Sequence, residues 1–264
     1  MRKLQLLAVA AVASALTALA AVGGFAEAQA QVAPTNASPP TISGTARDGD
    51  TLVVDEGSWS GTDPMTFTFQ WQSCDVNGLG CVDIGGATGW TYEVRTADVG
   101  HRLRVRVTAT NATGSSSANS QATTVATPPQ GATQVAGGRY SIPASSVRLP
   151  HRLVVSGVEF SPKILRSRAA FTGRFRVTDT RGYFVRDAIV LITGVPLGWI
   201  LAPQEARTNV DGLVTIQLQP TTRLRLVRGG SMVMFIRARK DGDSLLAGVS
   251  SRRLVRVRTA RPTS

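Results

Sequence analysis

Two cysteines, two histidines and three lysines are all that 264 residues contain, and each scarcity removes a class of function. A zinc site needs three or four Cys, His or carboxylate ligands at short spacings. Cys74, Cys81, His101 and His151 do not provide that set. Neither histidine has a nucleophile pattern beside it, and the lipase, zinc-protease and P-loop signatures are missing. The chain is therefore expected to be no enzyme and to need no metal or cofactor. Three Asp-Gly turns, at Asp48–Asp50, Asp211–Gly212 and Asp241–Asp243, lack the further oxygens that calcium requires. Aromatic residues make up only 6% of the chain, and no basic stretch is interleaved with stacking rings, so nucleic acid is not an expected partner. Beyond residue 30 there is no helical period of useful length and no apolar run able to cross a membrane.

What is present begins with Met1-Arg2-Lys3, then an uncharged Ala/Leu-rich run to Val22, then small residues at Ala26, Ala28 and Ala30. This is the pattern of a secretory signal peptide over 1–30, with cleavage expected after Ala30. The rival reading keeps the run as an uncleaved anchor. Export to a cell-surface or extracellular location then explains the cysteines. Two of them in an oxidising compartment are expected to form a disulfide, Cys74–Cys81, across the turn-rich segment between them.

Alternation supplies the fold class. Phe67, Phe69 and Trp71 alternate with Thr68, Gln70 and Gln72, so three rings share one strand face and need a second layer above them. Leu103, Val105, Val107 and Ala109 alternate in the same way with Arg102, Arg104, Arg106 and Thr108, the arginines reading as a solvated outer face. Further strands are expected at 41–45, 51–54, 90–94 and 122–125, with a turn at 111–117. Residues 127–147, rich in Pro, Gly, Ser and Ala, read as an exposed linker. A second strand-rich unit follows from 148 to 264. It contains alternation at Phe171–Thr178, a continuous apolar run at Ala188–Ile192, and strands at Leu213–Leu218, Met232–Ile236 and Leu254–Val257. The expectation is an all-β chain of two tandem sandwiches, 31–126 and 148–264.

The motifs Pro40-Thr-Ile-Ser-Gly, Gly57-Ser-Trp-Ser-Gly, Phe69-Gln-Trp-Gln-Ser-Cys74, Ala97-Asp-Val-Gly-His101 and Val107-Thr-Ala-Thr-Asn-Ala112 resemble, in order and spacing, the immunoglobulin-like repeat of secreted and surface proteins of bacteria. The resemblance covers about residues 38–126. It implies a spacer or adhesive module without catalytic residues, although one copy stands here where such modules often come in arrays. The pair Gly182–Val190 and Thr208–Leu218, with its Asn209-Val-Asp-Gly212 turn, is similar to invasin-type Ig-like domains and to carboxypeptidase-regulatory-like sandwiches. This again implies fold rather than chemistry.

Charge is where a partner is suggested. Residues 33–126 carry five bases against nine acids, whereas residues 127–264 carry twenty-two bases against seven acids. The basic half favours polyanionic partners, and in an exported protein an anionic envelope polymer or glycan is the natural one. Arg237, Arg239 and Lys240 on one expected strand, with Arg252, Arg253, Arg256 and Arg258 on the next, are the candidate polyanion-binding residues. The alternative is a carbohydrate-binding accessory module using exposed rings, with Trp59, Trp90, Tyr183 and Trp199 as candidates.

Overall fold

A computed structural model describes residues 30–201, 204–243 and 248–262. The expected signal peptide, apart from Ala30, lies outside the described residues. The described chain holds strands and three short 3-10 turns. The first unit contains β1 (Thr35–Ser38), β2 (Thr41–Ser43), β3 (Thr51–Asp55), β4 (Ser58–Ser60), β5 (Thr66–Cys74), β6 (Val82–Asp83), β7 (Thr91–Glu93), β8 (Arg102–Asn111) and β9 (Gly114–Asn119). The second contains β10 (Thr133–Gln134), β11 (Tyr140–Pro143), β12 (Leu153–Ser161), β13 (Ile164–Leu165), β14 (Phe171–Asp179), β15 (Phe184–Arg186), β16 (Ile189–Val195), β17 (Gln204–Arg207), β18 (Leu213–Leu218), β19 (Ser231–Arg239) and β20 (Ser251–Thr259).

In the first unit a four-stranded sheet, β6-β5-β8-β9, faces a three-stranded sheet, β2-β3-β7, with β1 and β4 forming a ribbon beside them. Alternation decides which residues fill the space between. Leu103, Val105, Val107 and Ala109 are fully buried, and Trp71 stacks on Tyr92 of the facing sheet at 5.4 Å. The Trp71 indole N–H, which would be costly to bury alone, donates to the Gly89 carbonyl at 2.9 Å. Cys74 and Cys81 are disulfide-bonded, closing the β5–β6 hairpin.

Two expectations here are corrected. Of residues 111–117, only the start is a turn; from Gly114 the chain pairs with β8 as β9. Its sequence, Gly-Ser-Ser-Ser-Ala-Asn, has no apolar alternation because it is an edge strand held by backbone bonds. Residues 122–125, expected as the last strand, run irregularly beside β8, touching it through Thr123 N–H to Leu103 O and Leu103 N–H to the Thr123 hydroxyl.

The second unit packs one sheet, β10-β11-β15-β14-β12 with β18 also on β14, against another, β13-β20-β19-β16-β17. The apolar run at Ala188–Ile192 becomes the central β16, flanked by β19 and β17. Phe171, Phe175, Val190, Ile192, Met234 and Ile236 are at most 2% exposed between the two sheets.

The segment 127–147 is not an exposed linker. Thr127 bridges Arg47 of the first unit. From Thr133 the chain pairs with itself and then, through Ser141–Pro143, runs parallel to β15. Ile142 and Val147 are fully buried in the second core. A few small residues and prolines resemble a linker in composition, but Ile142, Ala144 and Val147 are sufficient to anchor it.

Candidate polyanion-binding face and the domain joint

Strands β19 and β20 pair in register, Arg237 opposite Arg252, Phe235 opposite Leu254, Val233 opposite Arg256 and Ser231 opposite Arg258. Met232, Met234, Ile236 and Ala238 point into the core, so these opposing pairs all lie on the outer face. Arg252, Arg256 and Arg258 are exposed there and make no ion pair or hydrogen bond among the described residues. Phe235, Val233 and the exposed Leu254 form an apolar stripe between them. The Arg237–Arg252 pair places like charges directly opposite each other, a destabilising arrangement with no carboxylate of the described residues bonded to either. The result is a cationic sheet face on which Arg252, Arg256 and Arg258 are open to an anion, while Arg237 is part-buried with its Nε covered.

The other three predicted residues are engaged inside the molecule. Arg239 lies on the same face but reaches over β16 to Glu205 of β17 at 2.8 Å. Arg207 reaches Asp241 at 2.8 Å. Ile189 stands in register between Arg239 and Arg207, and it is only 3% exposed on this outer side because their side chains cover it. Arg253 donates to the Val155 carbonyl at 2.7 Å, tying β20 to β12 of the opposite sheet. Lys240 donates to the Val147 carbonyl at 2.9 Å.

The arginine row of β8 differs in kind. Arg102 donates to Val76 O and Thr123 O, Arg104 to Gln72 Oε1, and Arg106 to Asp83 Oδ2 at 2.8 Å. Gln72 completes the network by donating to Asp83 Oδ1. The Gln72 hydrogen bond first, then Arg106, holds the Asp83 carboxyl below its ordinary value. This row is internally satisfied.

Of the candidate aromatic residues, Trp59 packs on Phe67 and donates its N–H to Glu56 O. Trp199 is packed against the second core and Tyr183 is 5% exposed. Trp90 alone of the four is exposed.

Tyr183 belongs to a site that sequence reasoning missed. Asp48, read as part of an isolated turn, is 4% exposed and sits where the two units meet. Its Oδ2 accepts from the Thr96 hydroxyl at 2.7 Å and from the Tyr183 phenol at 2.6 Å. The Arg181 guanidinium lies 3.4 Å from Asp48 Oδ1 and 2.8 Å from Asp179 Oδ2. Asp179 in turn accepts the backbone N–H groups of Arg181 and Tyr183. Burial first, and then the hydrogen bond to Asp48, pushes the Tyr183 phenol well above the ordinary tyrosine range. Two carboxylates around one guanidinium, with the remaining oxygens satisfied by hydroxyl and amide donors, make a fully bonded polar clasp between the sandwiches.

No family model matches this chain, and no curated protein matches it either. Among solved structures it is similar to the D00-D0 domain of intimin, at 13% identity and a TM-score of 0.30, covering 81% of this chain and 98% of that one. It is also similar to the chicken CNTN1 FN1-FN3 domains, at 14% identity and a TM-score of 0.35, covering 86% and 70%. A chimeric titin Z1Z2 aligns at 12% identity and a TM-score of 0.24, covering 89% and 100%. At these scores the likeness carries no argument about binding. The two-sandwich fold rests on the sheets described above.

Proposed function

We propose that this chain is an exported, non-enzymatic surface or extracellular protein of bacterial origin, related to Ig-like adhesion and spacer modules. In this reading the second sandwich holds an anionic envelope polymer or glycan, and the first is what it displays. The observation that carries it is the outer face of β19 and β20, where Arg237, Arg252, Arg256 and Arg258 surround Leu254 and Phe235 without internal counterions. Guanidinium edges match carboxylate and phosphate geometry, and the apolar stripe lets the stem of a polymer unit lie between them. The clasp at Asp48 supports the spacer half of the reading, because a displayed domain is useful when its orientation is fixed.

The test is co-sedimentation of the mature chain with purified cell envelopes over a salt series. Binding at low salt that is released by high salt supports the anchor, since exposed charge pairs are screened over about 8–10 Å. Failure to sediment at low salt rejects it. The export half is tested separately by N-terminal sequencing of the protein recovered outside the cytoplasm: the signal-peptide pattern predicts Gln31 as the first residue. Recovery of the chain still beginning at Met1 in the membrane fraction would instead support the uncleaved anchor.

A further inference from the structure

The second sandwich has another cationic surface, on the opposite sheet, that the sequence did not single out. A groove of about 540 Å³ lies along the outer side of β12, β14 and β15. Its floor is the Phe184 ring. Phe184 stands opposite Thr178 on the outer side of its sheet, yet it is only 6% exposed. Two guanidiniums cover it: the Arg139 guanidinium carbon is 4.0 Å from the ring centroid and that of Arg176 is 4.9 Å. Arg174, two residues along β14, is the third cation of the groove.

Arg139 comes from a different part of the chain than the β14 pair, and packing brings them together. Arg139 precedes β11, the strand that runs parallel to β15. Arg176 stands opposite Gly157 at a bulge in β12, and a Cβ at position 157 would come within 3.1 Å of the Arg176 Cβ. The missing side chain is what gives the Arg176 stem its room. Stacking on an aromatic face occupies the π surface of a guanidinium and leaves its N–H edge free. The guanidinium groups of Arg174 and Arg176 make no hydrogen bond or ion pair among the described residues, and that of Arg139 makes one long contact, 3.4 Å, to the Gly182 carbonyl. The carboxylate in the groove is Glu159, opposite Arg174 in register and not within ion-pair distance of it.

We propose that this groove is a second anion site, separate from the β19–β20 face, which takes two or more closely spaced tetrahedral oxyanions such as adjacent phosphate or sulfate ester groups. One carboxylate satisfies one guanidinium fork. Three forks, two from β14 and one from the segment before β11, against a single acidic residue of the lining, call for more acceptor oxygens than a carboxylate has. The groove is of a size that holds small ligands, and its aromatic floor presents the cations at fixed positions, which lowers the ordering cost of binding. The site goes beyond the envelope-anchor reading and does not depend on it.

Calorimetric titration of the mature chain with inorganic tripolyphosphate, with a disulfated disaccharide and with acetate tests the site. The expected result is one tripolyphosphate or disulfated ligand per chain, with acetate at least tenfold weaker. Arg139→Gln and Arg176→Gln should each weaken binding at least tenfold. Glu159→Gln should tighten it several-fold. Arg252→Gln with Arg258→Gln, on the β19–β20 face and away from the groove, should change it less than twofold. A preference for tripolyphosphate assigns a phosphate-ester ligand, and the reverse preference assigns a sulfate ester; both support the site. Because Arg176 also shields Phe184, its variant is first checked by thermal unfolding, and the exposed Arg139 decides the matter if it fails to fold. Absence of any binding by the unaltered chain overturns the site. So does binding lost through Arg252 and Arg258 but unmoved by Arg139. Envelope co-sedimentation that persists when the groove variants lose tripolyphosphate leaves the anchor standing, and envelope binding that fails while the groove binds tripolyphosphate leaves the groove standing.

Discussion

The phenol of Tyr183 donates to the carboxylate of Asp48 at 2.6 Å, across 135 positions of chain and from one sandwich to the other. Both residues are at most 5% exposed. With Arg181 bonded between Asp48 and Asp179, the two domains meet through buried polar groups that satisfy one another. An unsatisfied partner in such a place is expensive, so the joint is sensitive to single substitutions.

Substitution of Arg181 by Met leaves Asp48 and Asp179 buried without their cation and is expected to cost about 3–5 kcal/mol. Tyr183→Phe removes one hydrogen bond from a carboxylate that keeps Thr96 and Arg181, and is expected to cost about 1–3 kcal/mol. Urea unfolding measures both, and small-angle scattering should show a larger radius of gyration for R181M under native conditions. Equal, small losses for the two variants would show that the clasp does not organise the joint.

Alkaline stability follows from the same tyrosine and from Tyr92, whose hydroxyl donates to Asp98 at 2.8 Å. Burial first, then the carboxylate partner, raises both phenols far above their ordinary value of 10.0. The folded chain therefore keeps two protons that the unfolded chain releases near pH 10. The stabilisation is complete below about pH 10 and is lost as pH rises above it, by up to about 1.4 kcal/mol per pH unit for each tyrosine. Urea midpoints between pH 8 and 11.5 should be flat and then fall. A folded protein whose tyrosinate absorbance rises fully by pH 11, with no fall in the midpoint, contradicts this.

Reduction of Cys74–Cys81 should be tolerated. The closed loop spans only seven positions, so chain entropy gives the bridge at most about 2.5 kcal/mol. The Trp71–Tyr92 stack and the fully buried residues of β8 do not depend on it. Thermal unfolding with and without reductant should show a lower midpoint for one transition and an intact fold at 25 °C. Loss of the near-ultraviolet tryptophan signal on reduction at that temperature would show the bridge to be essential.

Arginines of β8 and β20 should respond differently to removal. Arg104 and Arg106 are bonded to Gln72 and Asp83, so Arg104→Gln with Arg106→Gln should leave envelope binding within twofold. The corresponding pair at Arg252 and Arg256 has no partner among the described residues and should lower it at least tenfold. Comparable losses from both pairs, measured by the same sedimentation assay, would reduce the binding to net charge.

The fold was legible where one face is buried. The rings of β5 and the valines of β8 alternate because water lies on one side and the other sheet on the other, and the central β16 reads as a continuous apolar run. The illegible elements were those without an apolar alternation to read. Gly114–Asn119 has no apolar face, and β10 and β11 sit in a stretch whose composition resembles a linker. Strands were expected at Met232–Ile236 and Leu254–Val257, but Arg252 and Arg253 were read alike as binding residues, whereas one faces outward and the other ties the two sheets. Asp48 gave no signal at all, since a turn aspartate looks the same in water as beneath a neighbouring domain. The groove at Phe184 was equally silent, because Arg139 and Arg176 meet only through sheet pairing.

The most direct measurement is the salt dependence of the mature chain's affinity for a purified anionic envelope polymer, compared with that of a variant carrying Gln at Arg237, Arg252, Arg256 and Arg258. The account predicts tight binding at low salt, a steep fall as salt rises, and both a weaker affinity and a shallower fall in the variant. Equal affinity and equal salt dependence in the two proteins would contradict it.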